Sequence, residues 1–387
     1  MKTKLTYASK VWCGIAAIAA AQIVTQASEA GVSSDHSRPP ASPFTEFDAP
    51  LAGKAAGLGT YPLANNSEGS VVGYYIDANS VYYGFLRQPD GKLMTLDAPG
   101  AGHTTGTFQG TDPNAINDVG AITGNVEDSS SLYHGFIRQP DGAYVVFDIA
   151  GAGTMANQGT VPVSINLEGT TSGYFVDSSN TLHGFVRYPK GNVATFDPPG
   201  SVYTFPCEET CLNVEGQITG FFADAGSVYH GFLRQPNGAI TVLDGPEAGT
   251  TAGSGTFAAS ITPEGEITGY TVDSSGTAHG FIRARDGKYT EFDIPTAIAG
   301  AGASTVPYSI NVFGVVTGEF VDASDAMHGF SRSARGEITA FNAPGAGTAG
   351  GQGTRPSTNN WEGQVTGWYV DAGGLAHGFV WQPPCDD

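Results

Sequence analysis

Apolar and polar residues alternate over short runs along most of this chain, and turn residues separate the runs at regular distances. Four such runs stand between residues 160 and 197, at 160–166, 171–177, 183–187 and 194–197. Alternation with a period of two, bounded by Gly, Asn and Asp, is typical of half-buried β-strands. The pattern therefore predicts a meander of four short antiparallel strands.

The same meander recurs along the chain, and a Gly-Phe dipeptide preceded by His or Tyr marks its third strand. These marker positions are Tyr83, His134, His183, His230, His279, His328 and His377. A copy of roughly 50 residues cannot bury an apolar face alone, so the copies must pack on one another. We predict an all-β fold, a seven-bladed β-propeller of four-stranded antiparallel blades, over residues 44–384.

The two ends of the repeat region predict how such a ring closes. The last copy stops at 381–384 without a fourth strand, whereas residues 45–50 resemble the fourth strands of the other copies. An N-terminal strand that completes the last blade removes two open sheet edges. In that arrangement Trp381, which replaces a repeated Arg, is predicted to face the N-terminal strand near Thr45.

The connection between the third and fourth strands contains Pro-Asp-Gly at 89–91 and again at 140–142. This composition predicts a tight hairpin turn. If Asp90 and Gly91 form a two-residue turn, Phe85 lies opposite Leu96 and Arg87 lies opposite Met94. Residues 83, 85 and 87 then share one face of the blade.

The copies resemble the extracellular His-Ala-Phe (HAF) repeat family, which shares the tripeptide, a hairpin and a later Ile-Asn-x-x-Gly pattern. The resemblance spans nearly all of residues 44–384, and every copy here carries Gly where the family has Ala. It implies a secreted repeat protein and supplies no catalytic residues.

The first thirty residues differ in kind from the repeats. Lys2, Lys4 and Lys10 precede the apolar run 11–24, and small residues follow. This order is typical of a secretory signal peptide, here 1–30. We predict a chain that is secreted, periplasmic or at the cell surface.

The remaining segments and the charge limit the possible partners. A linker at 31–43 and a tail at 385–387 flank the repeats, and no later run is apolar enough to insert into a membrane. The net charge of −20 argues against nucleic acid as a partner. We expect a monomer.

Repeated polar residues are interpreted first as structural. The His of each tripeptide is predicted to be hydrogen-bonded within its blade, the repeated Arg to be solvated or to pair between blades, and the Asp that ends each second strand to cap an Asx turn. No cofactor is expected. Calcium is the alternative, with Asp128, Asp322 and Asp325 as candidate ligands because they lie in loops that offer two carboxylates.

The fourth copy departs most from the others. Cys207 and Cys211 are predicted to form a local disulfide, because an exported chain meets an oxidising compartment. Between them lie Glu208 and Glu209, the candidate catalytic acids. Cys385 is then left unpaired, or it bridges to another chain.

Candidate ligand-binding residues come from positions where the copies disagree. Trp368 lies in an aromatic column of the second strands, at a core or interblade position, and Asn125 and Glu319 replace the ring in that column. Trp361 lies in a turn and is a candidate for stacking on a sugar ring. Asn125 and Glu319 either line a pocket or lie in a wetter groove between blades.

These observations favour a binding module that engages an extracellular glycan or protein through the loops after the second and fourth strands. One alternative is an extracellular polysaccharide hydrolase or lyase with its site at the mouth of the central channel. A second alternative is a calcium-stabilised structural protein of the cell envelope.

Overall fold

The computed structural model describes residues 43–207, 210–300 and 303–383. The predicted signal peptide, nearly all of the linker, the C-terminal tail with Cys385, and the pair Glu208 and Glu209 lie outside these ranges. Within them, no helix is both long enough and apolar enough to cross a membrane.

The described chain forms 28 β-strands and one short helix. The first fourteen strands are β1 (Phe44–Phe47), β2 (Gly59–Asn65), β3 (Val71–Ile76), β4 (Tyr82–Arg87), β5 (Leu93–Leu96), β6 (Gly110–Ile116), β7 (Ile122–Glu127), β8 (Tyr133–Arg138), β9 (Tyr144–Phe147), β10 (Gly159–Ile165), β11 (Thr171–Val176), β12 (Leu182–Arg187), β13 (Val193–Phe196) and β14 (Tyr203–Pro206). The remaining elements are β15 (Ile218–Ala223), β16 (Tyr229–Arg234), β17 (Ile240–Leu243), β18 (Gly255–Ile261), β19 (Ile267–Val272), β20 (Ala278–Arg283), β21 (Tyr289–Phe292), α1 (Thr296–Ala299), β22 (Ser304–Ile310), β23 (Val316–Val321), β24 (Met327–Arg332), β25 (Ile338–Phe341), β26 (Gly353–Asn359), β27 (Val365–Val370) and β28 (Ala376–Trp381).

Antiparallel pairing joins the strands in groups of four, which we call blades 1 to 7. Blade 1 is β2–β5, blade 2 is β6–β9, blade 3 is β10–β13, blade 4 is β14–β17, blade 5 is β18–β21, blade 6 is β22–β25, and blade 7 is β26–β28 with β1. The predicted all-β fold of repeated four-stranded blades is therefore confirmed.

The N-terminal strand supplies the fourth strand of blade 7, as predicted. β1 pairs antiparallel with β28, with Phe44 opposite Trp381 and Phe47 opposite Gly378. Trp381 thus lies one residue from its predicted neighbour, Thr45. Its ring stacks on Phe341 of blade 6, with centroids 4.0 Å apart.

Side-chain amides at the turn between the first two strands connect successive blades. Asn66 donates to the carbonyl of Asn117, and Asn117 to that of Asn166. Asn360 of blade 7 donates to the carbonyl of Asn66 in blade 1 at 3.1 Å. By backbone pairing alone, the strands divide into a 20-stranded and an 8-stranded sheet.

The predicted register of the third hairpin was wrong by one residue. Phe85 pairs with Thr95 and Arg87 with Leu93. The amide of Gln88 bonds to the carbonyl of Lys92, which leaves three residues in the turn, and Gly91 has φ +88°. A three-residue loop with a left-handed last residue is a common hairpin form.

The tripeptide builds the core of each blade. Phe85 and its six counterparts are almost fully buried. A Cβ on Gly84 would lie 2.6 Å from Pro113 of the next blade. Glycine is needed at this position because the next blade packs directly on its backbone.

Candidate functional site

The repeated His residues bridge the carboxylates that follow the second and fourth strands, and we call these contacts the His–Asp bridges. His134 Nδ1 lies 2.8 Å from Asp148, at the end of the fourth strand, and its Nε2 lies 3.7 Å from Asp128, at the end of the second strand. The copies at His183, His230 and His279 repeat both contacts. The prediction of an intrablade hydrogen bond is confirmed for these residues.

The Asp residues that end the second strands cap turns, as the sequence predicts. Oδ1 of Asp128 accepts hydrogen bonds from the amides of Ser130 and Leu132, at 2.7 and 3.0 Å. In the equivalent turn of blade 5, the hydrogen bond from the Thr277 amide, followed by that from the Ser275 hydroxyl, lowers the pKa of Asp273 to about 2. The Asp273 carboxylate is therefore held ionised by the hydrogen bonds of its own turn.

The calcium alternative rests on the same turns. Asp322 accepts from the amide and hydroxyl of Ser324 with Oδ1 and contacts His328 with Oδ2. Across the residues that the structure describes, no group of three or more His, Cys, Asp or Glu side chains is arranged to hold a metal ion. Calcium at Asp128, Asp322 or Asp325 stays a prediction.

Four of the repeated Arg residues lie over a ring of the preceding blade, whereas Arg283 lies over Tyr289 of its own blade. Arg87 lies over the ring of Phe47, with 4.9 Å to the centroid, and Arg187 lies over Phe147 at 4.5 Å. In each case the ring ends the fourth strand of the preceding blade. In blade 7, Trp381 occupies the position of the repeated Arg and stacks on Phe341, which ends the fourth strand of blade 6.

Closer to the first strands lies a second group of side chains, which we call the aromatic belt. The third residue of each first strand faces the fourth residue of the second strand, as Tyr61 faces Tyr74 and Phe257 faces Tyr270. These two pairs stack with ring centroids 5.0 and 4.8 Å apart. The rings are half-buried, because one face packs on the next blade while the other end of the side chain reaches the surface.

In blades 7, 1 and 2 the aromatic belt includes charged side chains, and we call this part the belt sector. It consists of Arg355, Trp368, Tyr61, Tyr74, Tyr82 and Asp112. Trp368 meets Tyr61 edge-on at 5.1 Å, and Tyr74 contacts Tyr82 at 4.8 Å. The sector is thus a row of rings with a guanidinium at one end and a carboxyl at the other.

The guanidinium end is an ion pair packed on a ring. Arg355 lies over Trp368 at 5.1 Å, and its Nε is 3.5 Å from Oε2 of the buried Glu319 in blade 6. Burial, followed by the charge of Glu319, raises the pKa of Tyr308 well above its usual value. Glu319 therefore neutralises Arg355 from beneath the belt.

The carboxyl end is a poorly solvated acid. Burial, followed by the charge of Glu127, raises the pKa of Asp112 to about 7. Oδ1 of Asp112 is buried without a hydrogen-bond partner. Burial also raises the pKa of the neighbouring Tyr82 hydroxyl, with the Asp112 charge as the next contribution. Asp112 as a whole is half-buried, so part of the residue reaches the surface.

The predicted ligand-binding residues are partly brought together. Trp368 belongs to the belt sector and Glu319 supports it. Asn125 lies opposite Asp112 in the sheet and accepts from Asn114 at 3.2 Å. Trp361 is half-buried in the turn beyond the other end of β26, away from the sector.

Sequence reasoning missed Tyr61, Asp112 and Arg355. All three occupy the variable position of a Gly-Thr-x-Pro motif in the first strands, where another copy has Val161. A comparison of the copies at that one position would have found them.

The two cysteines of blade 4 lie in its core. Cys207 and Cys211 are both buried, and the Cys211 thiol contacts the carbonyl of Cys207. Their sulfur atoms are not bonded to each other in the structure. The disulfide therefore stays a prediction, as does catalysis by Glu208 and Glu209, which lie outside the described residues.

Comparisons with known proteins identify a fold and no family. No family model matches the chain, and no curated protein matches it. Among solved structures, the chain is similar to BP39L lectin from Burkholderia pseudomallei, with 10% identity, a TM-score of 0.50, and coverage of 85% of this chain and 94% of the lectin.

Two further likenesses are weaker. A puromycin hydrolase S511A mutant is 13% identical over 85% of this chain and 52% of its own length, with a TM-score of 0.49. The chain thus spans about half of that hydrolase. A fungal lectin from Aleuria aurantia, described as a six-bladed β-propeller, is 12% identical over 72% of this chain and 92% of its own, with a TM-score of 0.42. At these identities the likeness to BP39L lectin is one of fold alone.

Proposed function

We propose that this chain is a closed, seven-bladed β-propeller that binds a neutral extracellular glycan at the belt sector. The closed ring is supported by two contacts between the first and last blades. Gly59 of β2 pairs with Ala376 of β28, and Asn360 bonds to Asn66. The 28 strands of the described residues fit seven blades of four.

The row of half-buried rings carries the proposed function. A pyranose ring has an apolar face of C–H groups and an edge of hydroxyls, so a site for it combines flat aromatic side chains with a few fixed polar groups. The belt sector has both, since Trp368 and Tyr61 offer faces and edges while Asp112 and Arg355 offer an acceptor and donors. In its other part, around Phe257, the belt has rings without charge.

Charge favours a neutral glycan over an acidic one. The guanidinium of Arg355 is already paired with Glu319. The chain as a whole carries a net charge of −20, which repels polyanions. BP39L, with which the chain shares a fold, is itself a lectin by its description.

Export is part of the proposal and is supported by the signal-peptide pattern of residues 1–30. The mature protein would then meet glycans outside the cytoplasm. The resemblance to HAF repeats points the same way.

The test is a binding screen with matched variants. Wild-type protein is screened against neutral and acidic polysaccharides, and affinities for the hits are measured by calorimetry. Trp368→Ala should weaken binding by about tenfold or more, the cost expected for a central aromatic contact. Tyr270→Ala, in the same column of blade 5, should change it by less than about twofold.

Circular dichroism of both variants checks that the fold is retained. If the wild-type protein binds none of the polysaccharides in the panel, glycan binding is contradicted. Equal losses from Trp368→Ala and Tyr270→Ala would show that the sector is not the site.

A further inference from the structure

A cavity of about 550 Å³ lies beside His328 in blade 6. Its wall toward blade 5 is Ile298 of α1, and its other sides include Phe320, Ala340, Asp322 and His328. Pockets that bind small molecules have volumes of roughly 300–1,000 Å³. The cavity is therefore large enough for one sugar residue.

The cavity coincides with a change in the repeated chemistry. At the end of the fourth strand the other copies have Asp, as at Asp148, whereas blade 6 has Asn342. His328 lies 3.0 Å from Asn342 and 3.1 Å from Asp322, compared with 3.7 Å from His134 to Asp128. Blade 6 thus presents one carboxylate beside its imidazole, where the other copies with a His present at least two.

The Ile298 side of the cavity is particular to this position, whereas a ring stacked on His recurs in blades 3, 4 and 7. Between blades 5 and 6 the chain forms α1, the one helix among the described residues, and Ile298 is 46% exposed at its surface. Across from it, the ring of Phe320 stacks on His328 at 4.9 Å with 17° between the planes. An apolar wall therefore faces a polar edge formed by Asn342 and Asp322.

We propose that this cavity is a second binding site, for a single neutral hexopyranose residue. A cation is disfavoured because the site has lost a carboxylate, and an anion is disfavoured by the negative charge of the chain. A neutral pyranose matches the apolar wall and the polar edge of the cavity. Its C–H face packs on Ile298 and its hydroxyls bond to Asn342 and Asp322. This site shares no residue with the belt sector and does not depend on it.

The experiment uses the full chain carrying Trp368→Ala, which removes the principal stacking ring of the belt sector. The probes are the methyl glycosides of neutral hexoses, with methyl glucuronide as the charged comparison, in saturation-transfer NMR and calorimetry. In this background the neutral probes should still bind. Adding Asn342→Asp or Ile298→Asp should weaken that binding by about tenfold or more.

Asp293→Asn is the matched control, because it makes the reverse exchange at the equivalent position of blade 5. It should leave binding of the neutral probes unchanged. Binding that survives both Asn342→Asp and Ile298→Asp would overturn the proposal, and so would stronger binding of the glucuronide. Absence of binding in the Trp368→Ala background would also overturn it. If the protein that keeps Trp368 binds the same probes, the sugar is assigned to the belt sector instead.

Discussion

Replacing Trp381 with Ala should test whether the last blade is stabilised by its contacts with the N-terminal strand and blade 6. The Trp381 side chain is 3% exposed, stacks on Phe341 at 4.0 Å and lies 6.3 Å from the ring of Phe44. Truncating a buried Trp to Ala costs about 3–5 kcal/mol. We expect a loss in this range, because neither Phe44 on β1 nor Phe341 on β25 can fill the cavity alone.

Trp381→Arg is the informative control. Every other blade has Arg at this position, and Arg332 lies over Phe292 at 4.8 Å, much as Trp381 lies over Phe341. The Arg stem covers apolar surface and the guanidinium attracts the ring face, a contact worth about 0.5–2 kcal/mol. We therefore expect Trp381→Arg to be less destabilising than Trp381→Ala by at least about 1 kcal/mol.

Equilibrium unfolding in urea, followed by far-ultraviolet circular dichroism, measures both variants against the parent protein. The dependence of the unfolding free energy on urea is compared as well, since detachment of β1 in the native state would lower it. A loss below about 1 kcal/mol for Trp381→Ala, or equal losses for the two variants, would refute the reasoning.

Two further substitutions test packing and charge. Gly84→Ala places a Cβ 2.6 Å from Pro113, so overpacking should cost about 1–3 kcal/mol in urea unfolding, whereas Gly350→Ala, with no neighbour nearer than 3.4 Å, should be nearly neutral. Asp112 has its pKa raised from 3.8 to about 7 in the fold, so stability should fall as pH rises from about 4 to 7, by up to about 4 kcal/mol. Asp112→Asn should remove that slope, and an unchanged pH profile would contradict the burial argument.

Much of the blade could be predicted from sequence because its stabilising interactions are local and repeated. Alternation places Phe85 in the core, and the turn residues Asn117 and Gly120 separate the first two strands. Residues 44–47 resemble the fourth strand that the last copy lacks, and β1 pairs with β28 as expected. The error in the hairpin register came from the turn, because Asp-Gly suits both two-residue and three-residue loops.

Sequence by itself determined the four-stranded repeat, the use of the N-terminal strand to complete the last blade, and the positions where the copies differ. Only the tertiary structure decided which differing positions meet. Trp368 and Tyr61 are far apart in sequence, yet their rings lie 5.1 Å apart, because the last blade packs against the first. Asn342 differs from the Asp of the other copies in sequence, and the structure places it in the lining of a cavity with Ile298 and Phe320. The alternation of apolar and polar residues predicts the strands and the core of one blade. A site between blades depends on side chains from distant parts of the sequence, and no local pattern shows that they meet.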